Sequence, residues 1–205
     1  MRLVAWNACY NLRKRSMDAD LEMLRPLHPD IVVLSETGAR PNESKGVFIG
    51  SAPPCLAVFG FNGYNVSQLQ GAEEGPALSA TIAVSGATSF TLAAWWPVPL
   101  LAAGRSYSTL LTEMSERLVG RGGDGSTIVA GDFNSSTGVS GQEKSHPAFV
   151  AAMTTLGLSS VYHHHSGEAH GSEAAATFVQ GKRDPKPFHI DYCFVRSGTP
   201  PCGAL

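Results

Sequence analysis

The chain has 205 residues, 43% of them hydrophobic, with 15 basic residues against 17 acidic and a formal net charge of -2. At that length one sizeable core in a single domain is expected, and the charge balance excludes a protein that coats a polyanion through a broad basic face, though not a local phosphate site. The cysteines at 9, 55, 193 and 202 form no CxxC pair, which argues against structural zinc.

Leu3 to Trp6 is a short apolar run ending at Asn7 and reads as a buried strand. The polar, basic stretch from Asn11 to Ser16 reads as a loop. A helix follows, capped by Ser16 or Asp18, carrying Met17, Leu21 and Leu24 on one face and ended by Pro26. Ile31 to Leu34 is a second buried strand that delivers Ser35, Glu36 and Thr37 at its end. Residues 38 to 54 read as loop. Cys55 to Phe59, Ser79 to Val84 and Phe90 to Trp95 read as antiparallel neighbours joined by turns, one of them at Phe61-Asn62-Gly63.

Arg105 to Val119 shows helical spacing, stopped by the Gly-rich residues 120 to 125. Thr127 to Ala130 is another buried strand opening into Gly131-Asp132-Phe133-Asn134. Ser145 can cap a helix running to Leu156, with Gly157 just past its end. Thr177 to Val179 and Phe188 to Val195 read as the last strands. This mixture fits a mixed pair of sheets with helices on the outer faces. No run is apolar enough to span a bilayer, since Pro97 and Pro99 interrupt the longest candidate, and Met1 to Asn7 does not read as a leader. A cytoplasmic protein with reduced thiols and no obligate protein partner is the expectation.

Asn7, Glu36 and Asp132 each stand at the C-terminal end of an apolar strand. An unpaired charge is costly to bury, and strand ends on one sheet edge can converge. Two carboxylates and an amide make an oxygen-rich site suited to Mg²⁺ or Mn²⁺. In the Gly-Asp-Phe-Asn segment, glycine permits the sharp turn, and Asp132 and Asn134 share a face if the chain is extended, with Phe133 directed into the core. A carboxylate that holds water beside an amide that donates to a phosphoryl oxygen suits phosphoester hydrolysis; an Asx turn is the plain alternative. In His189-Ile190-Asp191-Tyr192, strand alternation places His189 and Asp191 on one face, where an aspartate can orient a histidine base.

The run Arg2 to Asn7, the segment Asp30 to Thr37, Ala130 to Asn134 and His189 to Tyr192 together resemble the motifs of the endonuclease/exonuclease/phosphatase superfamily, in order and spacing. The resemblance implies a DNase-I-like four-layer α/β sandwich of two mixed sheets flanked by helices, acting as a divalent-metal-dependent phosphodiesterase or nuclease. It implies Glu36 as main ligand to Mg²⁺ or Mn²⁺, with Asn7 beside it. It further implies Asp132 orienting the attacking water, Asn134 on the scissile phosphate, Asp191 supporting a catalytic histidine, and Thr177 near phosphate. The partner implied is a phosphoester substrate, nucleic acid among the candidates. Tyr162 to Asp191 resembles a bacterial branch of the family.

Two departures stand out. The family pattern ends in a strand bearing Ser-Asp-His, whose histidine pairs with the aspartate of the IDY motif; here a Pro/Gly-rich tail, 196 to 205, follows a domain of residues 1 to 195. Trp95-Trp96-Pro97 stands where many members carry a histidine. A truncated or frame-altered tail is the favoured explanation. The alternatives are recruitment of His163, His164, His165 or His189, or a member that binds a phosphorylated ligand without hydrolysing it. The three adjacent histidines read as a surface loop lacking a matching Cys or His cluster, and His146 and His170 as solvated. Selectivity falls to loops 38 to 54, 97 to 106 and 135 to 145, with Arg105, Lys144, Lys182, Arg183 and Lys186 as candidate phosphate contacts.

Overall fold

The computed structural model describes every residue except 39–45, 51–52, 70–77, 99–103, 122–125, 182 and 198–205. Most of the C-terminal tail and parts of two of the selectivity loops lie outside the described residues.

Two parallel strand pairs and the helices between them set the frame. β1 (Leu3–Asn7) and β2 (Ile31–Thr37) run parallel. A parallel pair needs a long crossover, supplied by α1 (Tyr10–Arg13) and α2 (Met17–Leu24). Ser16 caps α2 by accepting the Ala19 amide at 3.2 Å. Pro26 lies within a 3-10 turn, Arg25–Leu27, that ends the element. β3 (Val47–Ile49) and β4 (Cys55–Gly60) complete a four-stranded sheet in the order β1-β2-β4-β3.

The second sheet has six strands in the order β5-β6-β7-β8-β12-β9. These are β5 (Asn65–Gln68), β6 (Leu78–Ser85), β7 (Phe90–Trp96), β8 (Thr127–Asp132), β9 (Leu158–Ser160) and β12 (Asp191–Arg196). Its parallel pair, β7 and β8, is joined through α3 (Tyr107–Arg121). α4 (Ser145–Thr155) and α5 (Val161–Ser166) flank β9 in sequence, and β10 (Phe178–Gln180) pairs with β11 (Lys186–Phe188) as a separate ribbon.

Side-chain alternation builds four layers. Ile31 and Val33 of β2 meet Leu56, Val58, Ile82, Leu92 and Ala94 between the sheets. Val32 and Leu34 turn outward onto Met17 and Leu24 of α2. On the far side, Trp95, Val129, Phe133 and Phe194 pack against Leu110 and Met114 of α3 and Phe149 and Met153 of α4. Strands buried on both faces therefore read as continuous apolar runs rather than alternating ones.

Several local expectations are corrected. Tyr10–Arg13 is a short helix, not loop, and Val47–Ile49 is a strand inside the segment read as loop. Cys55 to Phe59 belongs to the first sheet, whereas Ser79 to Val84 and Phe90 to Trp95 belong to the second. Ser145 does not cap α4; Lys144 occupies that position without a side-chain cap bond. The strand predicted over Phe188 to Val195 is broken at His189 and Ile190, and its halves pair with different partners.

Candidate active site

Four side chains converge where the two sheets end together. Asn7 closes β1, Glu36 lies near the end of β2, Asp132 closes β8, and Asp191 opens the antiparallel β12. Asp191 and Asp132 are register partners. Asn7 joins the sheets: its Nδ2 donates to Glu36 Oε1 at 3.0 Å and to Asp132 Oδ2 at 2.7 Å, while its Oδ1 accepts the Cys9 amide at 2.8 Å.

Glu36 reaches this point through a backbone irregularity. It has φ 48°, and the β2–β4 register shifts between Leu34 and Thr37. Such a bulge re-aims a side chain that simple alternation would bury. The strand end is held from behind by Thr37, whose Oγ1 donates to Asp20 Oδ2 at 3.2 Å, and Asp20 in turn pairs with Arg15 at 2.9 Å.

Gly131 and Asn134 shape the turn out of β8. Gly131 has φ 148°, and a Cβ there would lie 2.0 Å from the Trp95 carbonyl oxygen, so only glycine fits. Asn134 has φ 50°, and its amide donates to Asp132 Oδ1 at 2.9 Å. This is the Asx turn of the plain alternative. Asp132 and Asn134 are brought together by this turn, not by an extended segment, while Phe133 is fully buried in the aromatic core as expected.

Burial pushes the Asp132 carboxyl up to about 6, partly offset by the bonds from Asn7 and Asn134, with the neighbouring Glu36 charge adding to the rise. Burial and the Asp132 charge push Asp191 higher still, to about 8. Asp191 Oδ1 is enclosed without a hydrogen-bond partner. No Lys or Arg forms an ion pair with Glu36, Asp132 or Asp191 among the described residues. A carboxylate-rich site with an orphaned buried oxygen and no internal cation fits a hard divalent ion bound through oxygen.

Thr177 holds the start of β12: its Oγ1 accepts the Ile190 and Asp191 amides at 3.0 and 3.2 Å. Tyr107, which the sequence marks only as a helix position, also borders the site. Its hydroxyl is raised above the ordinary tyrosine range by burial and by the Asp132 and Glu36 charges. Its place at the first turn of α3, after the loop leaving β7, is the signal that could have found it.

His189 is not brought to Asp191. Its Nδ1 contacts the Ala175 carbonyl at 2.9 Å, its ring packs 4.4 Å from Tyr162 and 5.0 Å from Tyr192, and its buried Nε2 has no partner. The strand break at His189 defeats the alternation argument. The triple histidine is corrected in part: it lies in a helix, α5, where His164 and His165 are exposed as expected but His163 turns inward onto Glu173 at 3.0 Å. His146 is fully buried and His170 half-buried, not solvated. Of the basic candidates, Arg105 pairs with Glu113, Lys144, Arg183 and Lys186 are exposed, and Lys182 lies outside the described residues.

The sequence matches the Endonuclease/Exonuclease/phosphatase family over residues 4–205. The chain belongs to that family. No curated protein matches it in sequence. Among solved structures, the endonuclease domain of TRAS1, a telomere-specific non-LTR retrotransposon, is similar with a TM-score of 0.67 at 14% identity, over 96% of this chain and 85% of that one. The 3' phosphatase NExo from Neisseria, bound to a product DNA hairpin, has a TM-score of 0.66 at 16% identity, over 96% and 87%. The human Nocturnin catalytic domain with bound sulfate has a TM-score of 0.65 at 16% identity, over 96% and 82%. These likenesses establish the DNase-I-like sandwich. No helix among the described residues is long and apolar enough to cross a membrane.

Proposed function

We propose that this family member is a divalent-metal-dependent phosphoester hydrolase of the phosphodiesterase or nuclease type. The observation that carries the reading is the convergence of Asn7, Glu36, Asp132 and Asp191 with no compensating protein cation among the described residues. Glu36 would hold Mg²⁺ or Mn²⁺, with the Asn7 amide beside it. Bound there, the ion would supply charge neutralisation on the phosphate. The remaining work falls to the chain. Asp132, oriented by Asn7 and the Asn134 amide, receives a proton from water. Asn134 offers its side-chain amide to a phosphoryl oxygen, and Thr177 fixes the backbone that presents Asp191. Nucleic acid is the favoured substrate class, since the similar folds include an endonuclease domain, in TRAS1, and a DNA-bound phosphatase, in NExo.

A second reading, binding of a phosphorylated ligand without efficient turnover, draws on one observation: no histidine is hydrogen-bonded to Asp191 among the described residues. Hydrolysis of bis-p-nitrophenyl phosphate and plasmid DNA in Mg²⁺, Mn²⁺ or EDTA, beside Asp132→Ala, separates the two. Metal-dependent turnover lost in the variant supports the hydrolase. Folded wild-type protein with no turnover above the variant supports the binder.

A further inference from the structure

Away from the carboxylates, a second group of ligand-type side chains is packed around the Tyr192 ring. One potential ligand atom from each of His163, His170 and Glu173 lies within 4.8 Å of the others. We propose that these three residues form a separate site for a transition-metal ion of the zinc class, which fastens the segment 167–177 to α5.

The geometry is prepared on several counts. His163 Nε2 and Glu173 Oε1 are 3.0 Å apart, near the roughly 3.3 Å edge of a tetrahedron with ligand bonds of about 2.0 Å. The His163 and His170 rings are stacked with centroids 3.5 Å apart and planes inclined by 18°, so binding requires the half-buried His170 ring to turn until its in-plane lone pair meets an ion held by His163 and Glu173. Each ring is oriented through its other nitrogen. His163 Nδ1 contacts Ser160 Oγ at 2.8 Å, and His170 Nδ1 contacts His146 Nε2 at 3.2 Å. His146 is itself fixed by Ser135 Oγ at 2.9 Å and is wholly buried. Fixing one imidazole nitrogen so that the other is presented is how proteins orient metal-binding histidines. The third donor, Glu173, is nearly enclosed at 5% side-chain exposure, and its Oε1 also accepts the Gly171 amide at 2.9 Å.

Two nitrogens and one carboxylate oxygen match zinc better than Mg²⁺, which prefers oxygen alone. His170 also lines an open cleft of about 480 Å³ with Thr137, Pro147 and Val150, so this member of the group borders solvent. The segment so fastened leads into Thr177, which holds the Asp191 amide. The site is therefore a clamp behind the carboxylate centre and not part of it.

The test uses the full chain in excess Mg²⁺, so that the carboxylates do not compete for the added ion. Chelator-treated protein is titrated with Zn²⁺, and metal retained after desalting is measured beside Co²⁺ visible spectra. Wild type should hold about one Zn²⁺ and give tetrahedral Co²⁺ bands. Glu173→Gln and His170→Gln, each checked for folding by circular dichroism, should weaken Zn²⁺ at least ~10-fold, while Asp132→Asn should not. Zn²⁺ should also slow amide exchange across residues 167–177 in the wild type, a readout that needs no variant. Folded wild type that retains no Zn²⁺, retention unchanged in both variants, loss confined to Asp132→Asn, or exchange unaffected by Zn²⁺ would each overturn the proposal.

Discussion

Asp191 and Asp132 face each other as register partners across the β12–β8 ladder, so two buried carboxyls occupy one end of one sheet. They are not equivalent. Asp132 is held by the Asn7 side chain and the Asn134 amide, whereas Asp191 Oδ1 has no partner. Asymmetry of this kind separates the protonation behaviour of two neighbouring acids.

Asp191→Asn should therefore stabilise the metal-free protein at neutral pH, because a carboxyl pushed up to about 8 must take up a proton on folding and an amide need not. A rise of roughly 2–4 °C in Tm is expected for about 1 kcal/mol relieved. Turnover should fall at least ~100-fold, the scale of a lost acid–base group. Thermal melts in EDTA and hydrolysis in Mg²⁺ check the two halves separately; a lowered Tm in EDTA would contradict the proton-uptake argument.

The same pair sets a pH dependence. Both carboxyls are raised on folding, Asp132 to about 6 and Asp191 to about 8, against an ordinary value of 3.8. A group raised in the folded state contributes stability that is complete below its unfolded pKa and is lost as pH rises through the folded one. Metal-free protein should accordingly lose stability between about pH 4 and pH 8. Mg²⁺ or Mn²⁺, by binding the ionised form, should flatten that fall. Melts across this range, with EDTA and with metal, provide the check; identical profiles would argue against a cation at the carboxylates.

Gly131→Ala should cost roughly 3 kcal/mol or more, since overpacking is compounded by an unfavourable backbone. The added Cβ would meet the Trp95 carbonyl oxygen at 2.0 Å, and φ is 148°. Because that carbonyl belongs to the β7–β8 ladder, relief of the clash would displace Asp132 as well. Urea unfolding measures the cost, and a change under about 1 kcal/mol would count against so close an approach of the two strands.

The buried strands are legible because each is a continuous apolar run, and Asn7, Glu36 and Asp132 are legible because polar groups punctuate the ends of those runs. Linear pattern cannot show how Glu36 leaves the line of β2, since the bulge between Leu34 and Thr37 depends on pairing with β4. Nor can it show that His189 and Asp191 part company. Two-residue alternation holds only inside one strand, and here the chain passes from a ribbon with β10 to a ladder with β8 between them. The histidines escape the pattern for a related reason. His163 and Glu173 are ten residues apart in sequence and meet only because the chain reverses after α5 at Gly167, φ 73°.

Asn7 offers the sharpest test of the carboxylate centre. It is an amide where a carboxylate would have the same shape, and its Nδ2 gives hydrogen bonds to Glu36 at 3.0 Å and Asp132 at 2.7 Å. Asn7→Asp replaces that donor with a third acid at the same distances, so attraction becomes like-charge repulsion inside a poorly solvated site. In EDTA at neutral pH the variant should lose roughly 2 kcal/mol or more, in the range for an uncompensated buried charge. Mg²⁺ or Mn²⁺ should restore most of this loss, and the metal-dependent rise in Tm should exceed that of the wild type, because the ion then neutralises one charge more. Asn7→Ala removes the donor without adding charge; it should be destabilised in EDTA and show no such enlarged metal response. Equal metal-induced shifts in wild type and Asn7→Asp would mean that the ion does not bind at this convergence of strand ends.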